Sequence, residues 1–146
     1  MEERFKMGKV QPKAYQAMNA LDMYIKDCGL DKLQIEMIKI RASQINGCAY
    51  CVNKHTGDAR KLGETEKRIY LMSVWREAGN IFSEEEKIIL DITEEVTLIS
   101  QHGLRADLYN RAIALLGEEK TAKVIMIAIT INAWNRIGVS LNMHPD

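Results

Sequence analysis

Two thiols and an imidazole lie close together in the segment CAYCVNKH. Cys48, Cys51 and His55 are separated by three and four residues, and residues at these offsets share one face of an α-helix. On such a face His55 can accept the proton of the Cys51 thiol, and Cys48 is near enough to form a disulfide with Cys51. An ionisable thiol, a base and a resolving thiol are what a peroxide-reducing dithiol requires, so the spacing predicts thiol redox chemistry.

The positions of the two thiols favour different roles. Asn46 and Gly47 break the preceding helix, so Cys48 is expected in the first turn of the next one. Unpaired N–H groups and the helix dipole stabilise a thiolate there, which favours Cys48 as the more acidic thiol. His55, however, lies at i+4 from Cys51 and gives that thiol its own base. The residues alone leave the two roles open.

Glu36, on the preceding predicted helix, is a candidate fourth member of this group. It lies at the edge of an apolar stripe near Leu33 and Ile40. A carboxylate there can orient His55 or relay a proton from a thiol. The alternative is a solvated glutamate paired with Lys39 at i+3, and the helix taken by itself favours this alternative because glutamate is usually exposed.

The cysteines also have readings that involve no redox chemistry. Free buried cysteines often behave as small hydrophobic residues. A structural zinc site is a second alternative, in which Cys48, Cys51 and His55 supply three ligands and Cys28 the fourth. Against zinc, three ligands on one continuous helix converge poorly on a tetrahedral metal. We therefore expect no bound metal and no cofactor.

The elements that position these residues are predicted to be helices, because no segment has the alternating pattern of a strand. Glycines and polar caps divide the chain into about six to seven helices, and the CxxC motif lies at the N-terminus of one of them. Their predicted spans are Pro12 to Cys28, Asp31 to Asn46, Cys48 to near Gly63, Thr65 to about Trp75, Ser83 to about Gln101, Ala106 to Leu116, and a last helix from Glu118.

The last predicted helix is more apolar than a surface helix needs to be. We expect it to lie at the centre of the fold or in a subunit interface. Trp134, Asn135 and Arg136 interrupt its apolar stretch. The polar groups of this segment need partners if they are buried, which favours an interface or a pocket over solvent.

Composition excludes several classes of protein. The 146 residues are 47% hydrophobic with two prolines, which predicts a single soluble domain. Twenty basic residues balance twenty acidic ones, so a surface for nucleic acid or an anionic membrane has no support. No apolar run suits a membrane helix or a secretion signal, so we expect a cytoplasmic protein. Three cysteines, an odd number, argue against a disulfide scaffold.

Glu36, Cys48, Cys51 and His55, with SQINGCAYC ahead of the histidine, resemble the core motif of the alkylhydroperoxidase D (AhpD)-like proteins. These proteins belong to the carboxymuconolactone decarboxylase family. The resemblance is strong from Leu30 to Leu62, and the other helices, including INAWNRI, resemble the small single-domain members. It implies one AhpD-like helical domain over residues 1–146, and it reverses the interpretation of Glu36, because the family places a catalytic glutamate at this distance before the first cysteine.

The resemblance also implies how the site works. Cys51 would attack a hydroperoxide and Cys48 would close the disulfide, while Glu36 and His55 form a water-assisted proton relay. We follow the resemblance in assigning the attack to Cys51. The reductant would be a dithiol such as a lipoyl or thioredoxin-like protein, and the chain would form a homo-oligomer, a trimer or a hexamer.

One residue departs from the family pattern. The best-studied peroxidases of the family carry a second histidine between the cysteines, where this chain has Tyr50. A tyrosine of ordinary pKa is neutral and cannot accept a proton, so we expect slower turnover or a different substrate. The decarboxylases of the family lack the cysteine pair, which makes lactone decarboxylation a poor alternative. A non-enzymatic thiol switch, in which the disulfide alters binding to a partner, is the main alternative from another class.

Overall fold

A computed structural model of the protein describes residues 2–145, and every regular element over these residues is a helix. The prediction of an all-α fold is confirmed. The α-helices are α1 (Met7–Val10), α2 (Pro12–Asp27), α3 (Lys32–Asn46), α4 (Ala49–Lys61), α5 (Glu66–Leu71), α6 (Glu84–Thr97), α7 (Ile99–His102) and α8 (Ala106–Ser140), and a 3-10 helix (Met72–Glu77) lies between α5 and α6.

Local capping interactions fix where the helices begin. The Asp31 carboxylate accepts hydrogen bonds from the backbone N–H groups of Leu33 and Gln34 at the start of α3. Ser83 and Glu86 form a reciprocal capping box at the start of α6. Each of these interactions joins residues two or three positions apart and satisfies an N–H group that the helix itself leaves unpaired. The start points predicted from these residues are confirmed.

The helix boundaries differ from the prediction in a few places. The short helix α1 was not predicted, and the segment after Leu71 is a 3-10 helix instead of a continuation of α5. The helix predicted to reach Gln101 ends at Thr97, because the backbone of Leu98 leaves the helical region. The predicted break at Gly117 is confirmed, because α8 is interrupted at this residue, whose φ of 75° and ψ of 168° separate residues 106–116 from the long segment 118–140. This positive φ favours glycine and breaks the helix axis at that point.

The long second part of α8 forms the centre of the fold, as predicted. It packs mainly against α6 and α3, and α3 packs in turn against α4. Val124, Ile127 and Ala128 of α8 are fully buried with Ile38 of α3 and Ile89 of α6. Because α3 contacts α4, α6 and α8 at once, its side chains are held in fixed positions relative to the segment that carries the cysteines.

Two asparagine side chains of α8 connect this helix to the C-terminal end of α3 by hydrogen bonds. Asn135 is completely buried, and its amide donates a hydrogen bond to Ser43 Oγ at 2.9 Å. The amide of Asn46 donates to the side-chain oxygens of Asn132 and Asn135, both at 2.9 Å. Asn135 therefore finds its partners inside this chain and needs no subunit interface. The network fixes the end of α3 just before the turn that leads to Cys48.

None of the helices within residues 2–145 has both the length and the apolar character that crossing a membrane requires.

Candidate active site

Cys48 and Cys51 lie at the junction between α3 and α4. Gly47 ends α3 in the left-handed conformation, with φ 66° and ψ 30°. Cys48 is the N-cap of α4, one position before the first turn in which the sequence placed it, and its sulfur accepts a hydrogen bond from the N–H of Cys51 at 3.3 Å. Cys51 is the third residue of the helix. Both sulfurs therefore lie at the positive end of the helix dipole, which does not by itself distinguish their roles.

The two cysteines form a disulfide, with 5.3 Å between their Cα atoms, and both are buried. Cys28 is a free, partly buried cysteine. The pairing is the one predicted from the shared helical turn. That the disulfide forms and breaks reversibly stays a prediction.

Glu36 and His55 form a buried hydrogen-bonded pair between α3 and α4. Glu36 Oε2 lies 2.8 Å from His55 Nδ1, and only 8% of each residue is exposed. The other carboxylate oxygen of Glu36 accepts a hydrogen bond from Lys39 Nζ at 3.3 Å. The alternative of a solvated glutamate is therefore wrong about solvation, although the pairing with Lys39 that it predicted is present.

The surroundings of Glu36 favour its charged form. Burial raises the pKa of Glu36, but the hydrogen bond from His55 and the positive charge of Lys39 lower it by more, so the net shift is downward. An ionised Glu36 accepts a hydrogen bond from Nδ1–H of His55, and this fixes the tautomer of the ring. Nε2 of His55 is then the ring nitrogen that can take up a proton.

A cavity of about 480 Å³ opens beside this pair. Glu36, His55 and Cys51 line it, whereas Cys48 does not. The volume falls within the range of roughly 300–1,000 Å³ that is usual for sites of small organic molecules. Apolar and aromatic side chains form much of the wall, namely Ile25, Ile35, Leu62, Ile131, Met143, Tyr15, Tyr50 and Trp134, and four lysines contribute, namely Lys26, Lys32, Lys39 and Lys54.

The contribution of α2 to this cavity was not predicted from the sequence. Tyr15, Asn19 and Asp22 line it from one face of α2. Tyr15 also packs edge-on against Trp134 of α8, with ring centroids 5.1 Å apart. Tyr15, Asn19 and Asp22 are spaced four and three residues apart, which predicts that they share one face of the helix. Nothing in the sequence indicates that this face meets the one carrying Cys51 and His55.

The ligand atoms of Glu36, His55 and Asp58 lie within 4.8 Å of one another, so among residues 2–145 these three side chains are close enough together to hold a metal ion. None of them is a cysteine, and two of the ligands considered for zinc, Cys48 and Cys51, are bonded to each other. Lysines already neutralise the two carboxylates, because Lys39 binds Glu36 and Lys54 binds Asp58. This group of side chains is better suited to proton transfer than to holding a structural zinc ion.

Gly138 of α8 packs directly against the disulfide, and its lack of a side chain leaves room for the two sulfur atoms. A Cβ atom added to Gly138 would lie 3.0 Å from the sulfur of Cys48 and 3.6 Å from that of Cys51. The first of these distances is shorter than ordinary van der Waals contact, so Cys48 could not keep its present position beside a larger residue.

We expect Gly138→Ala to weaken the Cys48–Cys51 disulfide. A free thiol can rotate away from the new methyl group, whereas a sulfur bonded to its partner cannot. The disulfide should therefore be reduced at a lower ratio of reduced to oxidised glutathione than in the wild type. The free energy of unfolding of the oxidised protein should fall by about 1–3 kcal/mol, the usual cost of overpacking.

Gly57→Ala is the matched control, because a Cβ atom at this position in α4 meets nothing within 4 Å. This variant should keep the glutathione midpoint and gain up to about 1 kcal/mol of helix stability. If Gly138→Ala shows the same midpoint and stability as the wild type, Gly138 does not constrain the sulfurs.

Comparison with known proteins assigns the chain to a family. The sequence model of the carboxymuconolactone decarboxylase family matches residues 12–89, which is more than half of the chain. The chain belongs to this family. The resemblance recognised in the CxxC motif and its flanking residues is thereby confirmed at the level of the family.

Relatives of similar length match this member of the family over nearly all of its chain. An uncharacterized protein of Bacillus subtilis, YdfG, is 38% identical over 141 residues, which cover 97% of this chain and 95% of the relative. A crystal structure from Agrobacterium tumefaciens is 38% identical, covers 99% of both chains and superimposes with a TM-score of 0.95. That protein is described as having unknown function and as a candidate AhpD antioxidant defence protein.

A more distant structure shares the fold. An uncharacterized peroxidase-related protein from Ralstonia eutropha JMP134, described as an alkylhydroperoxidase AhpD core, superimposes with a TM-score of 0.81. It is 22% identical, and the match covers 96% of this chain and 74% of that one. At this identity the likeness concerns the fold alone, which is the AhpD-like helical fold.

Proposed function

We propose that this protein is a thiol-dependent peroxidase that reduces hydroperoxides with the Cys48–Cys51 pair. One observation carries the proposal: Cys51 lines the same cavity as the hydrogen-bonded Glu36–His55 pair and is bonded to Cys48. A nucleophilic thiol and an acid–base pair thus lie at one opening that is large enough for an organic molecule. The resolving thiol is bonded directly to the nucleophilic one.

The reaction begins with ionisation of the Cys51 thiol. His55 takes the proton through Nε2, directly or through a water molecule, and Glu36 stabilises the resulting imidazolium at Nδ1. The thiolate attacks the terminal oxygen of the hydroperoxide, so an S–O bond forms and the O–O bond breaks. The departing alkoxide oxygen takes up a proton and leaves as an alcohol. Cys51 is then a sulfenic acid.

Cys48 completes the oxidative half of the cycle. Its sulfur attacks the sulfenic acid of Cys51, the disulfide forms and water leaves. In total, one hydroperoxide and two thiols give one alcohol, one water molecule and one disulfide. A dithiol must then reduce the disulfide by exchange, and a lipoyl or thioredoxin-like protein is the reductant that the family resemblance favours.

The assignment of the attack to Cys51 is supported by the shape of the site. Cys51 lines the cavity and Cys48 does not. Tyr50 lines it too, at the position where the resemblance places a second histidine. Turnover slower than in peroxidases with that histidine stays a prediction. By the same resemblance we propose one domain over residues 1–146 and assembly into a trimer or a hexamer. The cytoplasmic location, which was inferred from the sequence composition, stays a prediction.

A steady-state assay with excess dithiol tests the function. The wild-type protein, supplied with dihydrolipoamide and either tert-butyl hydroperoxide or hydrogen peroxide, should consume many equivalents of hydroperoxide per chain. Without the dithiol, consumption should stop at one equivalent, because each chain forms one disulfide. If consumption stops at one equivalent even with dithiol present, the protein is a thiol switch and the proposal is wrong.

A further inference from the structure

Three carboxyl groups line the cavity, those of Asp22, Glu36 and Asp58, and the proposed reaction cycle uses only Glu36. Asp22 of α2 lines the cavity together with Cys51, Glu36 and His55. Its side chain is partly buried, and no residue of the described part of the chain forms a salt bridge with it. Glu36, in contrast, is held by both His55 and Lys39. Asp58, the third carboxyl group, is paired with Lys54 and Lys61. Within the described residues, Asp22 is therefore the carboxyl group of this cavity that forms no salt bridge.

Asp22 and Glu36 differ in the direction of their pKa shifts as well as in their contacts. Burial raises the pKa of Asp22, and the opposing effects of Lys39 on α3, Trp134 on α8, and His55 and Lys54 on α4 do not offset it. The pKa of Glu36 shifts in the opposite direction. In enzymes, two carboxyl groups that one site pushes toward opposite protonation states commonly divide the roles of acid and base.

Trp134 supplies a group that can stabilise Asp22 after it loses a proton. The indole Nε1 of Trp134 is buried and has no hydrogen-bond partner within residues 2–145. Its N–H nevertheless lies close enough to favour the charged form of the Asp22 carboxyl group. A buried donor without a partner is costly. A carboxylate formed at Asp22 would satisfy it.

We propose that Asp22 is the general acid that protonates the departing oxygen when Cys51 attacks a hydroperoxide. The inference rests on the proposed peroxidase function. As the sulfur of Cys51 bonds to the terminal oxygen, the O–O bond breaks and its electron pair stays on the second oxygen. The carboxyl proton of Asp22 passes to that oxygen, and an alcohol leaves. The proton that His55 took from the Cys51 thiol returns to the Asp22 carboxylate through water, so the protons balance.

The experiment compares two oxidants whose leaving groups differ in basicity. tert-Butyl hydroperoxide releases an alkoxide, a strong base that needs a proton to leave. Peracetic acid releases acetate, a weak base that leaves without one. The measurement is the rate constant for oxidation of Cys51 in a single turnover of the fully reduced, full-length protein.

We expect Asp22→Asn to lower the rate with tert-butyl hydroperoxide by about 10²–10⁴-fold, the usual contribution of a general acid. The rate with peracetic acid should equal that of the wild type, which also shows that the variant is folded and that its Cys51 is reactive. Asp27→Asn, the same change at an exposed position of α2, is the matched control and should leave both rates unchanged.

Equal losses with both oxidants, or an unchanged rate with tert-butyl hydroperoxide, would overturn the role of Asp22. Failure of the proposed function looks different, because then the wild-type Cys51 would react with neither oxidant faster than a free thiol does.

Discussion

Cys51→Ser is expected to abolish the reaction with hydroperoxides, whereas Cys48→Ser should still allow the first oxidation step. The reason is that Cys51 lines the cavity with His55, and a serine hydroxyl in its place stays protonated and does not attack peroxide. Without the resolving thiol, the sulfenic acid on Cys51 has no partner and persists. Treatment of Cys48→Ser with one equivalent of hydroperoxide and a sulfenate-specific reagent, followed by mass spectrometry, should locate the label on Cys51.

Cys28→Ser is the control for this experiment, because Cys28 is a free cysteine outside both the disulfide and the cavity. Its turnover should match that of the wild type. A label on Cys48 in the Cys51→Ser variant, together with no label in Cys48→Ser, would show that the roles of the two thiols are exchanged. A dominant disulfide that includes Cys28 would contradict the assigned redox pair.

Features that depend on near neighbours in the chain could be predicted from the sequence. The caps at Asp31 and Ser83 act on residues two or three positions away, and helical spacing alone brings Cys48, Cys51 and His55 to one face. Such interactions need no knowledge of the tertiary fold. For the same reason the error at Cys48 was small, one position between the N-cap and the first turn.

Features that depend on packing between helices could not be predicted from the pattern of one helix. The hydrogen bond between Glu36 and His55 joins residues 19 positions apart on different helices. The stripe on α3 taken by itself favours a solvated glutamate, and only the family resemblance reverses that interpretation. Asp22 and Gly138 approach the site from α2 and α8, and their contribution becomes visible only once those helices are packed.

The hydrogen bond between Glu36 and His55 is expected to be needed for fast reduction of hydroperoxides. The bond of 2.8 Å lets the charged carboxylate stabilise the imidazolium that forms when His55 takes the Cys51 proton. Glu36→Gln removes that charge, and His55→Ala removes the base. Each single variant is expected to slow hydroperoxide reduction by about 10²–10⁴-fold, the usual contribution of one acid–base group.

If the two residues act as one relay, the double variant Glu36→Gln/His55→Ala should be little slower than either single variant, because losing the second member of a broken relay costs little more. Single-turnover rate constants for the four proteins give the coupling directly. Glu77→Gln, the same change at an exposed glutamate, should leave the rate unchanged. Losses that multiply in the double variant would mean that Glu36 and His55 act separately, and an unchanged rate in Glu36→Gln would leave that carboxylate a structural partner of Lys39 only.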